Sequence, residues 1–257
     1  MEKTEINELV AFILSSGNEI LKKQGAIEDI GVKKQYLTEE DIRIEKGLKS
    51  IIDGLSGDHQ FYSEEENDTF VASSSVWIVD PISGTKLFIE GRPHYAIVLA
   101  HMSEGIVDLA IVYDPSDDSL YQSDGSGAYL NGNRILMQNG GGRNKIVFAP
   151  SYGWADTGKR DELKRLLERD YEVFPSQGSM ALNYCLVARG EFDGVVSLTK
   201  DAFTEFAGLF IANQSGAIAT NIDRETTVHP SDRVFVCASN RMIYEELMDK
   251  TRLVVCD

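Results

Sequence analysis

The residues best suited to chemistry lie in Trp77-Ile78-Val79-Asp80-Pro81-Ile82-Ser83-Gly84-Thr85. Val76 to Val79 reads as a buried strand, and Pro81 is expected to break it, because proline cannot donate to a sheet ladder. The loop beyond gathers a carboxylate, a backbone carbonyl, two hydroxyls and a glycine. Gly84 permits close approach of backbone to a ligand, and the amides that follow can face an anion. Just upstream, Ser63-Glu64-Glu65-Glu66 is a carboxylate run with no neighbouring Lys or Arg. Oxygen donors of this kind suit a hard divalent cation such as Mg2+, with Mn2+ as the alternative. Each part also has an ordinary reading: Asp-Pro opens turns, and a glutamate run forms a solvated face. Their juxtaposition favours the metal reading.

Three further segments could contribute. Thr38-Glu39-Glu40-Asp41 opens a helix, where Thr38 and Asp41 can form a capping box. Alternatively, Asp41 pairs with a hydroxyl such as that of Thr85 to orient an attacking water, and both roles can hold at a rigid helix end. Gln177-Gly178-Ser179-Met180-Ala181 precedes a helix and reads as an anion or polar-ligand site, or as an N-cap at Ser179. Lys200-Asp201-Ala202-Phe203-Thr204-Glu205 either points acids and hydroxyls into the same cleft or is a first turn with acids favoured by the helix dipole. His59, His94, His101 and His229 show no metal-ligand spacing and read as structural or surface residues. No GxSxG, Walker loop or GxGxxG occurs.

These groups must be positioned by a chain of 257 residues, enough for one large domain or two halves of roughly 120 residues. The composition, 42% hydrophobic and 26% charged, is that of a soluble globular protein. There is no membrane-length apolar run and no basic-then-apolar N-terminal signal. A net charge of −16 argues against nucleic acid as a partner, and a phosphate ligand would need a metal or backbone amides beside it. Cys185, Cys237 and Cys256 read as reduced thiols of a cytoplasmic protein.

Ile6, Leu9, Val10, Ile13, Leu14, Ile20 and Leu21 give one helix its apolar face, and Ile44, Leu48, Ile51, Ile52 and Leu55 a second, ending at Ser56-Gly57. Lys33 and Lys34 fall in a polar loop between them. A hairpin of 96–102 and 106–113, a strand at 120–122 and a tight turn at Asn131-Gly132 make the first half an antiparallel sheet beside two helices. Asn139-Gly140-Gly141-Gly142 marks the boundary between halves 1–138 and 143–257. Beyond it strands at 145–149, 171–174, 194–198, 217–220 and 234–238 are interleaved with helices at 159–168, 179–189, 203–213 and 241–250, an α/β arrangement.

With these motifs in order, the chain resembles the inositol monophosphatase family, the magnesium-dependent, lithium-sensitive phosphatases whose superfamily includes fructose bisphosphatases and bisphosphate nucleotidases. The segment 77–88 resembles the signature WxxDPxDGTxNF, Ser63-Glu64-Glu65 resembles GEE, and 37–41 resembles VTxxD. Val112-Tyr113-Asp114-Pro115 and Gly127-Ala128-Tyr129-Leu130-Asn131-Gly132 match VYDP and GAYLNG. Gly178-Ser179-x-Ala181 resembles GSxA, and 203–217 resembles WDxAAGxxIxxEAGG.

The resemblance implies a layered αβαβα sandwich, a cleft floored by the 77–85 loop, and a homodimer. It assigns the first metal site to Glu65, Asp80 and the Ile82 carbonyl. Asp41 and Thr85 match the pair that activates the nucleophilic water, and the amides of Gly84 and Thr85 the phosphate cradle. Ser83, Gly178, Ser179, Asp201 and Thr204 complete the expected phosphate and substrate contacts. Two departures stand out. Ser83 and Thr204 occupy positions where the family carries aspartates of a second metal site, and Ser197 stands where inositol-specific members carry a sugar-contacting acid. The expectation is therefore a phosphomonoesterase for a small phosphorylated sugar, polyol or nucleotide with an altered or one-metal site. The alternative is a non-catalytic relative that binds a phosphorylated metabolite or a protein partner.

Overall fold

The computed structural model describes residues 3–32, 36–65, 73–137, 144–151, 154 and 156–256. Lys33, Lys34, Glu66 and the Asn139–Gly142 boundary lie outside them. Helix α1 (Lys3–Lys23) and helix α2 (Glu39–Asp53) form where the apolar spacing places them. The capping box is made: the Thr38 side chain accepts from the Glu40 and Asp41 amides while Asp41 accepts from the Thr38 amide.

Seven strands follow in chain order as one sheet: β1 (Gln60–Ser63), β2 (Ser75–Ser83), β3 (Ala96–Ser103), β4 (Ile106–Asp114), β5 (Ser119–Ser123), β6 (Ala128–Leu130) and β7 (Asn133–Ile135). Every pair is antiparallel except β1 with β2, which run parallel. The short strand β1 has no alternation to mark it in the sequence; it forms because Phe61 and Tyr62 lie beside the buried Trp77 and Ile78. Pro81 does not end β2, contrary to expectation. The strand continues to Ser83 by a register shift between Asp80 and Ser83, which accommodates the missing amide. Asn131 and Gly132, both at positive φ, make the tight β6–β7 turn.

A second sheet of five strands has the order β11-β12-β10-β8-β9, from β8 (Lys145–Pro150), β9 (Glu172–Pro175), β10 (Gly194–Leu198), β11 (Ile218–Asn221) and β12 (Val234–Ala238). Its helices are α4 (Thr157–Leu167), α5 (Met180–Ala188), α6 (Phe203–Ser215) and α7 (Arg241–Val255). A single turn of helix, α3 (Thr85–Ile89), follows β2 directly.

Three apolar cores define five layers, αβαβα. Residues of α1 and α2 pack on one face of the seven-stranded sheet around Trp77, Val79 and Leu99. The opposite face packs on α5 and α6, which in turn cover the second sheet through Val195, Phe235 and Cys237. The outer face of that sheet carries α4 and α7. The central layer explains why α6 has no polar face: a helix covered on both sides is apolar nearly all round. The two central helices lie close, because a Cβ on Gly208 would stand 2.5 Å from the Tyr184 ring and 3.2 Å from the Ala181 Cα. Among the described residues no helix is long and apolar enough to cross a membrane.

Candidate active site

The cleft residues are brought together by the ends of four elements. Strand β1 delivers Glu64 and Glu65, β2 delivers Asp80, Ile82 and Ser83, the start of α2 delivers Asp41, and α3 begins at Thr85. Gly84, at φ +87°, makes the strand-to-helix corner. The α2 side of the loop is fixed by Glu45, a buried acid among the apolar positions of that helix, which accepts a hydrogen bond from the Ser63 hydroxyl. Sequence reasoning missed Glu45; its signal was an acid lying between Ile44 and Leu48 on a buried face.

Asp41 is fully buried, and its two oxygens divide the roles expected of it. Oδ2 accepts from the Thr38 amide at 2.8 Å and the Thr38 hydroxyl at 2.5 Å, whereas Oδ1 faces the Thr85 hydroxyl at 3.4 Å. Thr85 Oγ1 lies much closer to the Ile82 carbonyl, at 2.7 Å. With a single proton to give, the Thr85 hydroxyl bonds Ile82, and its contact with Asp41 is the secondary one. Burial pushes the Asp41 carboxyl up to about 7, the Thr38 bonds oppose the rise, and the charges of Glu65 and Glu64 add to it.

The other wall comes from the second half of the chain. Gly178 sits at φ +148°, and a Cβ there would meet the His94 carbonyl oxygen at 2.0 Å. That approach lets the Ser179 amide donate to the same carbonyl at 2.8 Å. Ser179 stands at the N-cap position of α5 but makes no side-chain cap bond. Its hydroxyl donates instead to Ser83 Oγ at 2.7 Å, joining the two halves at the cleft floor.

Asp201 is part-buried, and its carboxyl is raised first by burial and then by the charge of Glu64. Thr204 is buried and its hydroxyl donates to Glu205 Oε2 at 3.1 Å. Glu205 is fully buried, and its other oxygen accepts from Ser197 at 3.2 Å. Burial, reinforced by Asp201, pushes the Glu205 carboxyl up to about 8.

These positions can be tested for fit to a divalent cation. Glu65, Asp80 and the Ile82 carbonyl offer hard oxygens, and the like charges of Glu64 and Glu65 that raise Asp41 are the repulsion a cation relieves. This first set fits one hard ion. The second set does not: Ser83 and Thr204 present neutral hydroxyls already engaged with Ser179 and Glu205. Among the described residues no three His, Cys, Asp or Glu side chains converge as a ready metal cage.

This architecture is the layered αβαβα sandwich. The family model of the inositol monophosphatase family matches residues 7–255, and the chain belongs to that family, a family of phosphoric monoester hydrolases. Among its relatives, a fructose-1,6-bisphosphatase/inositol-1-monophosphatase of Thermotoga maritima is 28% identical over 244 residues, covering 93% of this chain and 92% of the relative. A putative Nus factor SuhB of Neisseria meningitidis serogroup B is 31% identical over 173 residues, 65% of this chain and 66% of that protein. A solved Thermotoga maritima IMPase superposes with a TM-score of 0.83 at 24% identity, covering 97% of each chain, which supports the common fold.

Proposed function

We propose that the protein is a one-cation phosphomonoesterase for a small phosphorylated sugar, polyol or nucleotide. The observation that carries this reading is the asymmetry of the site. Asp41 faces Thr85 and feels the charge of Glu65, and Asp80 keeps its carboxylate, while Ser83 and Thr204 are hydrogen-bonded hydroxyls. Glu65, Asp80 and the Ile82 carbonyl would hold the ion, Mg2+ or Mn2+ by donor type. When bound, it supplies charge neutralisation at the phosphate and acidifies water at neutral pH.

The remaining work falls to the chain. Asp41 Oδ1 accepts the proton of the attacking water, and Oδ2, tied to Thr38, fixes the carboxylate in place. The Thr85 hydroxyl, held on Ile82, orients that water from the opposite side. The amides of Gly84 and Thr85 and the Ser83 hydroxyl, whose proton is left free because it accepts from Ser179, receive the phosphate oxygens. Gly178 keeps Ser179 within reach of Ser83, and Asp201 and Thr204 line the leaving-group side. Ser197 is buried on Glu205, so the acid that would select inositol is absent from its usual place. Loss of a second electrostatic stabiliser typically costs 10²–10³ in rate, about 3–4 kcal/mol, so slow turnover is expected.

A second reading, a cleft that binds a phosphorylated ligand or protein partner without turnover, draws on the same two missing carboxylates. It also draws on the relatives named Nus factors. One experiment separates the two: Mg2+ and Mn2+ titration by calorimetry with a phosphate-ester panel, on the parent, on Asp80→Asn and on Ser83→Asp/Thr204→Asp. One ion and turnover that vanishes in Asp80→Asn support the enzyme, with a second ion appearing in the double variant. No hydrolysis of any ester by the metal-replete parent refutes it.

A further inference from the structure

At the far end of the β1–β2 pair the fold builds a second polar constellation that the phosphatase site does not use. His59, just before β1, and His101, on β3, converge on one hydroxyl, that of Ser75 at the start of β2. His59 Nδ1 lies 2.7 Å and His101 Nε2 2.9 Å from Ser75 Oγ. The outer nitrogens are anchored as well: His101 Nδ1 on Asp108 Oδ1 at 2.6 Å and His59 Nε2 on the Ser56 carbonyl at 3.1 Å. The rings are 6.3 Å apart, and the buried Trp77 indole packs 4.7 Å from His101.

The tautomers follow from those outer partners. A carboxylate and a carbonyl can only accept, so the outer nitrogen of each neutral ring carries its proton and the inner one is bare. Two bare nitrogens then face a hydroxyl that has one proton to give. One contact is a hydrogen bond; the other sets a nitrogen lone pair against an oxygen lone pair. Four contacts require four protons, and two neutral imidazoles and one hydroxyl supply three. A positive centre is what the arrangement lacks.

We propose that His59 and His101 form a binding site for a first-row transition cation of the zinc class, with Ser75 and water completing its shell. Metal-bound histidines carry their other N–H on a carboxylate or backbone carbonyl, which fixes the tautomer and the ring. Both rings here have that support before any ion arrives. Bare imidazole nitrogens select zinc-class ions over Mg2+, opposite to the oxygen donors of the cleft. His59 and Ser75 are only partly buried, so the site can be reached from solvent. Ser75 and Asp80 are separated by about 17 Å of strand at ~3.3 Å per residue, so the two sites do not share an ion. A cation here would tie together the starts of the two parallel strands whose other ends carry Glu65 and Asp80.

The test is Zn2+ calorimetry at pH 7.5 under saturating Mg2+, in an Asp80→Asn background that disables the cleft site. It is paired with Cu2+ electron paramagnetic resonance, which counts coordinated nitrogens. One zinc-class ion and a two-nitrogen copper spectrum are expected. His59→Gln and His101→Gln should each weaken binding at least tenfold and leave one nitrogen. Asp108→Asn should weaken it about 10–100-fold while keeping two. Circular dichroism checks folding, and the partly exposed His59 keeps the test open if His101→Gln does not fold. Zinc binding unchanged in the His59 variant overturns the proposal. So does no zinc binding at all with an extra proton on the ring pair by nitrogen NMR, which would make it a proton site only.

Discussion

Replacing Glu205 by glutamine isolates the least ordinary electrostatic feature of the fold. Glu205 is fully buried in α6, its carboxyl accepts from the hydroxyls of Ser197 and Thr204, and Asp201 stands nearby as a second negative charge. Its carboxyl therefore rises from 4.5 to about 8 on folding, driven first by burial and then by Asp201. The folded chain keeps a proton that the unfolded chain releases above 4.5. Stability is thus greatest below that value and declines as pH climbs from 4.5 through about 8. At ~1.4 kcal/mol per pH unit the interval is worth about 5 kcal/mol at most, and partial relaxation of the site brings the expected loss to about 3–5 kcal/mol. Glutamine keeps the shape without the charge: its carbonyl oxygen accepts from one of the two hydroxyls and its NH2 donates to the other, which turns to accept. Urea unfolding at pH 5, 7 and 8.5 is the assay. Glu205→Gln should match the parent within about 1 kcal/mol at pH 5 and exceed it by about 3–5 kcal/mol at pH 8.5. Asp41 titrates in the same direction in both proteins, so the difference between them belongs to Glu205. If the parent's decline from pH 5 to 8.5 persists undiminished in the variant, the placement of an uncompensated acid in the central layer is wrong.

Asp41→Asn should lower turnover by about 10²–10⁴ while α2 stays intact, because the Thr38 hydroxyl still caps the Glu40 and residue-41 amides; steady-state kinetics beside circular dichroism reads both. Gly178→Ala forces a non-glycine residue to φ +148° against the His94 carbonyl, a strain of about 1–3 kcal/mol from the backbone alone, visible as a lower unfolding midpoint and weaker phosphate binding. Ser179→Ala removes a buried hydroxyl bond between the halves, costing about 0.5–1.5 kcal/mol by urea unfolding and raising KM more than it lowers kcat.

Much of this was legible before folding because local rules carried it. The apolar stripes of α1 and α2, the Thr38–Asp41 box and the Asn131-Gly132 turn are short-range patterns, and each forms where its residues say. The failures are those in which a distant partner decides. β1 has no pattern of its own and exists because β2 lies beside it. Pro81 reads as a breaker, yet the bulge carries β2 past it. Ser179 has the residue type of an N-cap, but Ser83, from the other half of the chain, takes its hydroxyl. Glu45 and Glu205 lie in helices whose neighbours are apolar, and their burial is decided only when the layers close over them. The meeting of His59 and His101 is equally long-range: no spacing in the sequence marks it, and it takes the pairing of β2 with both β1 and β3 to set them on Ser75.

Ser83 and Thr204, the two positions where the resemblance leads one to expect acids, are not gaps in the cleft. A carboxylate deleted from a buried site ordinarily leaves partners unsatisfied or a void, and buried polar groups in native proteins are rarely left so. Here Ser83 receives the Ser179 hydroxyl, and Thr204 gives its proton to Glu205, whose other oxygen takes that of Ser197. Each hydroxyl has a partner, Ser83 one from the other half of the chain and Thr204 its own neighbour in α6, so neither is left unsatisfied. The buried acid of this wall is Glu205, one position after Thr204 in α6, and it sits with the hydroxyls of Ser197 and Thr204. A carboxylate restored at 204 would therefore enter a region that already holds Glu205 and Asp201. Like charges so placed raise one another's proton affinity. Recovery of a second ion thus depends on Glu205 as well as on the two restored acids, and it should be stronger when Glu205→Gln is added to Ser83→Asp/Thr204→Asp.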